Sequence, residues 1–196
     1  VWEVIDAAAS KPFGFMPFYP GPGVGGHCIP IDPFYLTYKA REYGIATRFI
    51  ELAGEINNSM PSYVVDKAAK ALNQHAKKAL NGSKILMIGI AYKKDVDDMR
   101  ESSSLILLEL LEQNGAIVDY HDTFVPTIPV TRDHANLSGR ESVELSAEVV
   151  QSYDLVIIGT NHSNCDYQLL MNHGKIILDT RNAMNGLNGK ARVEKA

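Results

Sequence analysis

The sequence contains little cysteine, with only Cys28 and Cys165 among its 196 residues. Two cysteines this far apart build no disulfide framework, so we expect the chain to belong to a reducing, cytoplasmic compartment. The sequence also lacks any apolar run close to the roughly 20 residues that a membrane-spanning helix needs. We therefore expect no membrane partner.

An excess of positive charge is likewise missing, since 19 Lys and Arg residues face 23 Asp and Glu residues, for a formal net charge of −4. A mildly acidic chain without a basic run argues against nucleic acid as the main partner. The hydrophobic fraction of 45% is ordinary for a globular protein and is sufficient for one large or two small domains. The chain opens on Val1 within a helical pattern, so we expect a piece of a longer protein.

Proline and glycine are concentrated in residues 18–33, FYPGPGVGGHCIPIDP, which hold four of the nine prolines and also Cys28. Glycines let a backbone approach a ligand, and prolines stiffen the loop around them. We interpret this glycine loop as a holder for a nucleophilic thiol, although a lone cysteine is more often a small buried hydrophobe. A helix predicted to start at Asp32-Pro33 favours the thiolate of Cys28.

The glycine loop contains the spacing G-x-G-x-x-G, but we do not interpret it as a dinucleotide fingerprint. That motif requires a strand before it and a helix directly after it. His27 is a poor candidate for a Cys–His dyad, because adjacent side chains of an extended segment point apart. Asp32 is most simply a helix N-cap, and it could also orient a water molecule near the sulfur of Cys28.

Further along, helical patterns alternate with short apolar runs, which predicts βαβ units. Pro61 and the preceding polar residues predict a kink or a break in the longest helix, which would bridge two domains or pack against its copy in a dimer. The predicted helices are 1–9, 33–43, 49–75, 101–114 and 142–151, and the predicted strands are 84–90, 116–121, 154–159 and 175–179. We therefore expect an α/β protein: a helical linker region followed by a doubly wound, mostly parallel, Rossmann-like sheet.

Polar residues gather just past the predicted strand ends, in residues 91–101, 159–162 and 179–182. Ligands of open α/β sheets bind outside the carboxyl ends of the strands. Lys93, Arg100 and Arg181 could converge there on an anionic ligand such as a diphosphate, the alternative being solvated loop charge. Cys165 is predicted to be inert, and we predict no metal site.

Three motifs resemble a known family: G-x-G-G-H-C-I-P-x-D-P, G-I-A-Y-K-K-D-V-D-D-M-R-E-S and L-D-T-R-N, in that order. They are similar to the UDP-glucose/GDP-mannose dehydrogenase family. The forms FYPGPGVGGHCIPIDPFYL and RFIELAGEIN are most similar to the branch of UDP-N-acetylglucosamine 6-dehydrogenases. The resemblance covers the rear half of such enzymes. It implies a cysteine loop over 1–32, a central helical dimerisation region over 33–81 and a UDP-binding domain over 82–196, without the NAD-binding domain.

The resemblance implies that the C6 alcohol of a UDP-sugar is oxidised to the acid by two hydride transfers to NAD. Cys28 would form a thiohemiacetal and then a thioester, which divides a four-electron oxidation into feasible steps. Asp32 would activate the hydrolytic water. The implied substrate-binding residues are Phe18, Tyr19, Gly21, Gly23, Gly25, Lys93 and Arg181, and the implied cofactor-binding residues are Arg100, Gly26 and His27.

The family's upstream lysine and asparagine are not in this chain, so we expect the chain alone to be inactive. Two other functions stay open at this point. One is a cysteine hydrolase or acyltransferase that pairs Cys28 with a distant histidine such as His121 or His162. The other is a non-catalytic UDP-binding or dimerisation module in which Cys28 is buried.

Overall fold

The computed structural model describes residues 1–196 and confirms the α/β class. Its helices are α1 (Trp2–Ala9), α2 (Asp32–Glu42), α3 (Arg48–Ala71), α4 (Ser103–Gln113), α5 (Ala147–Ser152) and α6 (Tyr167–His173). Its strands are β1 (Lys84–Ile88), β2 (Ile117–His121), β3 (Leu155–Ile158), β4 (Ile176–Asp179) and β5 (Arg192–Lys195). A π-helical turn, Leu72–Ala76, prolongs α3.

The five strands form one sheet in the order β2-β1-β3-β4-β5, and every neighbouring pair is parallel. Parallel neighbours need crossover connections, which the helices supply. The predicted doubly wound sheet is confirmed. Strand β2 lies on one side of β1, and β3, β4 and β5 follow on the other side. The strand order therefore reverses between β1 and β3.

Side chains of successive strand residues point to opposite faces, and each face is covered. Ile85 and Met87 belong to a 24-residue core that includes Val64 of α3 and Leu108 of α4. Leu86 and Ile88 belong to a separate 12-residue core, formed with residues of α5 and α6. Burial on both faces is the reason that the strands read as continuous apolar runs in the sequence.

Helix α3 runs without interruption through Pro61, so the predicted break is wrong. Proline has no N–H to donate to the carbonyl four residues earlier, which is that of Asn57. That carbonyl oxygen lies 3.4 Å from the position that a Cβ on Gly23 would occupy. The helix tolerates Pro61 because the interior of α3 packs against α4, and the carbonyl that proline leaves free faces the glycine loop.

Three predicted helix starts are displaced. Helix α5, predicted from residue 142, begins at Ala147, because Ser146 is its N-cap and accepts the N–H of Val149 at 3.2 Å. Helix α2 begins at Asp32, with Ile31 at the N-cap, so the N-cap prediction for Asp32 is wrong. The carbonyl of Cys28 already accepts the N–H groups of Ile31 and Asp32, at 3.1 and 2.8 Å, which starts the helical turn earlier. Helix α4 begins at Ser103 rather than Glu101, because Glu101 has a left-handed φ of 51° and Ser102 is the N-cap.

Helix α6 and strand β5 were not predicted from the sequence. Asp166 caps α6 by accepting the N–H of Leu169 at 2.8 Å, but the helix has only seven residues. Strand β5 is a short edge strand with no buried residue. None of the helices combines the length and the apolarity required to cross a lipid bilayer.

Candidate functional site

The carboxyl ends of β1 and β3 meet at the point where the strand order reverses, the usual ligand position of an open α/β sheet. Gly89 follows β1 with φ of 78°, and a Cβ there would collide with the backbone carbonyl of Thr160. Thr160 in turn donates its hydroxyl to the carbonyl of Ala91 at 2.6 Å. Only glycine allows the two loops to approach this closely.

The glycine loop packs on the segment that follows β1. A Cβ on Gly25 would lie 2.7 Å from the carbonyl oxygen of Glu101, and one on Gly26 would lie 3.1 Å from the ring of Tyr92. The N–H of Gly26 donates to the carbonyl of Arg100 at 3.2 Å. Three of the predicted loop glycines, Gly23, Gly25 and Gly26, therefore make room for protein atoms.

Arg181 follows β4 and reaches back to β3. Its Nε donates to the carbonyl of Gly159 at 2.8 Å, and its backbone N–H donates to the carboxylate of Asp179 at 3.0 Å. No carboxylate pairs with the guanidinium, and burial alone lowers the pKa of Arg181. A Cβ on Gly21 would overlap this guanidinium. A desolvated cation without a counter-charge is a site for an anion.

A cleft of about 530 Å³ opens beside Arg181. Its lining residues are Trp2, Asp6, Pro17, Phe18, Tyr19, Pro20, Lys93, Lys94, Asn161, Arg181 and Asn182. The structure thus brings together four residues predicted to bind substrate: Phe18, Tyr19, Lys93 and Arg181. Lys94, Asn161 and Asn182 lie in strand-end segments that the sequence already marks. Trp2 and Asp6 of α1 were missed, because a short helix before the loop gives no such signal.

Tyr19 is held by α1. The rings of Trp2 and Tyr19 stack with centroids 5.6 Å apart and planes inclined by 14°. The hydroxyl of Tyr19 donates to Asp6 at 3.3 Å. Partial desolvation and then the nearby carboxylate of Asp6 raise the pKa of Tyr19, which further favours the protonated hydroxyl that donates to Asp6.

Cys28 is exposed, unlike the buried Cys165, whose thiol pKa is raised to about 12 by burial. It lies on the glycine loop, seven residues after Gly21, just before α2. Asp32 is exposed in the first turn of α2, and its carboxylate makes no capping hydrogen bond. A nucleophilic role requires an accessible thiol, and the carboxylate one turn further on is free to bind water.

His27 and Arg100 line a second cleft, of about 510 Å³, to which residues 97–101 of the segment that follows β1 contribute. The guanidinium of Arg100 is held by Asp98, with Nη2 2.6 Å from Oδ2, which raises the pKa of Arg100. Gly26 lies outside this cleft. Of the three residues predicted to bind the cofactor, two therefore share a surface.

The two distant histidines considered as partners of Cys28 are engaged elsewhere. Nε2 of His162 lies 3.1 Å from Asp122, and its Nδ1 accepts the backbone N–H of Asp95 at 3.0 Å. Nδ1 of His121 lies 2.8 Å from the carbonyl of Val143. These contacts disfavour a cysteine hydrolase, which needs a base within hydrogen-bond reach of the sulfur.

The fold and the cleft define a Rossmann-like α/β protein with a cleft lined by Lys93, Lys94 and Arg181 at the carboxyl edge of its sheet. The family model for the UDP binding domain of the UDP-glucose/GDP-mannose dehydrogenase family matches residues 86–186, and the model for its central domain matches residues 1–59. The chain belongs to this family, which confirms the resemblance in the three motifs.

Individual relatives agree with this assignment. The chain is 34% identical over 193 residues to UDP-N-acetyl-D-mannosamine dehydrogenase from Methanocaldococcus jannaschii, covering 94% of this chain and 40% of the relative. It is 31% identical over 162 residues to UDP-N-acetyl-D-glucosamine 6-dehydrogenase from Salmonella typhi, covering 82% and 36%.

A solved structure, that of UDP-D-ManNAc dehydrogenase from Pyrococcus horikoshii, superposes with a TM-score of 0.79 at 27% identity. The match covers 99% of this chain and 43% of that one. The chain thus spans about 40% of the length of the relatives that it matches.

Proposed function

We propose that this chain is the substrate-binding and thiol-bearing part of an NAD-dependent UDP-sugar 6-dehydrogenase. The observation that carries the proposal is the unpaired, half-buried guanidinium of Arg181 beneath Gly21, in a cleft that also contains Lys93. The cleft is bordered by the loop that carries the exposed Cys28. A diphosphate would satisfy both cations, and the sugar would extend from it along the loop.

In this proposal the C6 alcohol of the sugar first loses a hydride and a proton and becomes an aldehyde. The thiolate of Cys28 then adds to the aldehyde carbon and forms a C–S bond, and the former carbonyl oxygen takes up a proton, which gives a thiohemiacetal. Loss of a hydride and a proton converts the thiohemiacetal into a thioester. Water held by Asp32 then cleaves the C–S bond, which releases the acid and returns the proton to the thiol. Covalent capture keeps the aldehyde bound between the two oxidations.

The proposed cofactor is NAD, which when bound supplies the hydride acceptor for both oxidations. The residues that would contact it, His27 and Arg100, lie in the second cleft. That cleft also contains Asp97, Asp98, Glu101 and Asp133, and Asp98 already neutralises Arg100. These carboxylates would accept hydrogen bonds from ribose hydroxyls but would repel a diphosphate, so the surface fits only the ribose edge of a dinucleotide. His27 and Arg100 would provide this contact, while Gly26 would shape the loop beneath them.

The proposed substrate is UDP-N-acetylglucosamine, on the strength of the loop sequence FYPGPGVGGHCIPIDPFYL. Relatives of both N-acetylglucosamine and N-acetylmannosamine type match the chain, so the test is a substrate panel. We expect the longer protein that contains this chain to form two NADH per UDP-N-acetylglucosamine and to be slower with the C2 epimer. Faster turnover of UDP-N-acetylmannosamine would reassign the substrate.

Cys28→Ser should abolish acid formation in the same assay, whereas Cys165→Ala should retain it. Serine keeps the size of the side chain but is a far weaker nucleophile at neutral pH than a thiolate. Full activity of Cys28→Ser would overturn the mechanism. Binding of UDP without any oxidation of UDP-sugars would favour a non-catalytic UDP-binding module.

We also propose a homodimer formed through the central helices. Large apolar side chains of α2 and α3 face outwards, with exposed fractions of 70% at Tyr35, 89% at Phe49 and 52% at Ile56. A monomer rarely leaves so continuous an apolar surface in water. Light scattering of the unmodified chain should give twice the mass of one chain, and Phe49→Glu should give the mass of a single chain. A Phe49→Glu variant that keeps the dimer mass would contradict this interface.

The reducing, cytoplasmic location expected from the cysteine content stays a prediction.

A further inference from the structure

Helix α1 contacts Tyr19 at two points one helical turn apart. The ring of Trp2 stacks on the ring of Tyr19, and the carboxylate of Asp6 accepts its hydroxyl. Helix α1 has no buried residue of its own, so these contacts do not belong to a hydrophobic core. Residues i and i+4 lie on the same face of a helix, so Trp2 and Asp6 can both contact the side chain of Tyr19.

The lining of the cleft beside α1 includes two chemically different groups of side chains, which we call its walls. One is the aromatic wall, which consists of Trp2, Phe18 and Tyr19. The other carries the cations Lys93, Lys94 and Arg181. Phe18 is 70% exposed and Tyr19 is 50% exposed, so flat apolar surface remains open to a ligand.

A ligand that satisfies both walls must carry a planar ring at one end and anionic groups at the other. A nucleoside diphosphate has this composition, and the volume of about 530 Å³ lies within the range of about 300 to 1,000 Å³ usual for small-molecule sites. An aromatic side chain gives a stacking base on the order of tenfold in affinity, and often more. Inorganic diphosphate would use the basic wall alone.

We propose that Trp2 and Asp6 of α1 are positioning residues that fix Tyr19, so that the aromatic wall takes the base of the nucleotide. This inference rests on the proposed function, since it assigns the base end of the same UDP site. In this arrangement α1 contributes to affinity for the nucleoside and contributes nothing to the diphosphate contacts. Trp2 acts both through Tyr19 and as part of the wall.

Calorimetric titration of the chain with UDP and with inorganic diphosphate separates the two walls. We expect Trp2→Ala to weaken UDP binding on the order of tenfold and to leave diphosphate binding unchanged. Trp2→Phe keeps a stacking ring and should retain most of the UDP affinity. Asp6→Ala should weaken UDP binding about two- to threefold through loss of one hydrogen bond, while Asp6→Asn, which keeps an acceptor, should lose less.

Trp2 is the single tryptophan of the chain, so its fluorescence reports directly on this wall. UDP should change the emission of the unmodified chain, and inorganic diphosphate should not. An equal loss of UDP and diphosphate affinity in Trp2→Ala, or no loss of either, would overturn the inference. Equally tight binding of UDP and diphosphate by the unmodified chain would also overturn the inference, because it would show that the base adds no affinity. That result would still support diphosphate binding by the basic wall. Absence of any UDP binding by the unmodified chain would overturn the proposed function as well.

Discussion

Nε2 of His162 lies 3.1 Å from the carboxylate of Asp122, and both side chains are almost completely buried. Since Nδ1 of His162 accepts the N–H of Asp95, Nε2 carries the proton and donates it to Asp122. Asp122 also accepts four backbone N–H groups, two from residues that follow β1 and two from residues that follow β2. The pair therefore joins the loops after β1, β2 and β3, and so fixes the segment that carries Lys93.

Replacing His162 with Ala should lower the free energy of unfolding by about 2 to 3 kcal/mol. The change removes two hydrogen bonds, one to the carboxylate of Asp122 and one from the N–H of Asp95. A hydrogen bond contributes about 0.5 to 1.5 kcal/mol net, and one to a charged group about 1.5 to 3 kcal/mol. Urea unfolding at pH 7 measures the loss. His27→Ala is the control, since His27 is exposed and an exposed substitution should stay within about 0.5 kcal/mol. A His162→Ala variant as stable as the control would show that the network carries no stability.

Stability should fall at acidic pH because of Asp122. Burial alone would raise its pKa, but hydrogen bonds from His162 and from the N–H of Ile90 outweigh burial, and the pKa lies below its usual value. A carboxyl whose folded pKa is depressed contributes stability above its unfolded pKa of about 3.9 and loses it as the pH falls through the folded pKa. We expect the part of the stability that Asp122 contributes to be lost below about pH 4, as a fall in the urea midpoint between about pH 5 and pH 3.

Asp122→Asn tests the origin of this drop. Asparagine keeps one acceptor but cannot titrate, so the variant should be less stable at pH 7 and should lose less stability between pH 5 and pH 3. The exposed Asp32→Asn should follow the unmodified chain over the whole range. A drop of the same size in Asp122→Asn and in the unmodified chain would assign the acid sensitivity to other carboxylates.

Much of this arrangement can be predicted from sequence, for physical reasons that differ between elements. The runs at 84–90 and 154–159 are apolar at every position because both sheet faces are covered, so the pattern alone indicates central strands. Lys93 and Arg181 follow strand ends, and parallel strands bring such ends to one edge. Strand β5 gives no such signal, because its four residues are either exposed or only half-buried.

Other features depend on contacts between segments far apart in the chain. The N-cap role expected of Asp32 follows from local propensity, but the carbonyl of Cys28 starts the turn one residue earlier. The participation of α1 in the cleft depends on the stacking of Trp2 on Tyr19, seventeen residues away. No local pattern in residues 1–9 indicates such a contact, since a single tryptophan on a short helix has many possible partners.

Gly21 and Gly25 should respond differently to alanine, although neither needs a left-handed φ. The Cβ of Gly21→Ala meets the end of the flexible Arg181 side chain, which can move aside, so we expect weaker UDP binding, on the order of tenfold, at nearly unchanged stability. The Cβ of Gly25→Ala meets the backbone carbonyl of Glu101, which cannot yield, so we expect lower stability, by about 1 to 3 kcal/mol. Calorimetry with UDP and urea unfolding of both variants check the contrast. The reverse pattern would show that Gly21 does not set the position of Arg181.

Iodoacetamide should label Cys28 in the native chain and leave Cys165 unmodified. Alkylation requires an accessible thiolate, and burial both shields Cys165 and raises its pKa to about 12.

Because Gly21 and Cys28 belong to one loop, UDP bound at Arg181 should order this loop and slow the labelling of Cys28. Arg181→Ala should abolish the protection while leaving the rate without UDP unchanged, since Arg181 makes no contact with the thiol in the structure. Mass spectrometry of tryptic peptides over a time course measures both rates. Equal protection of the unmodified chain and of Arg181→Ala would mean that UDP acts on the thiol from a site other than this cleft.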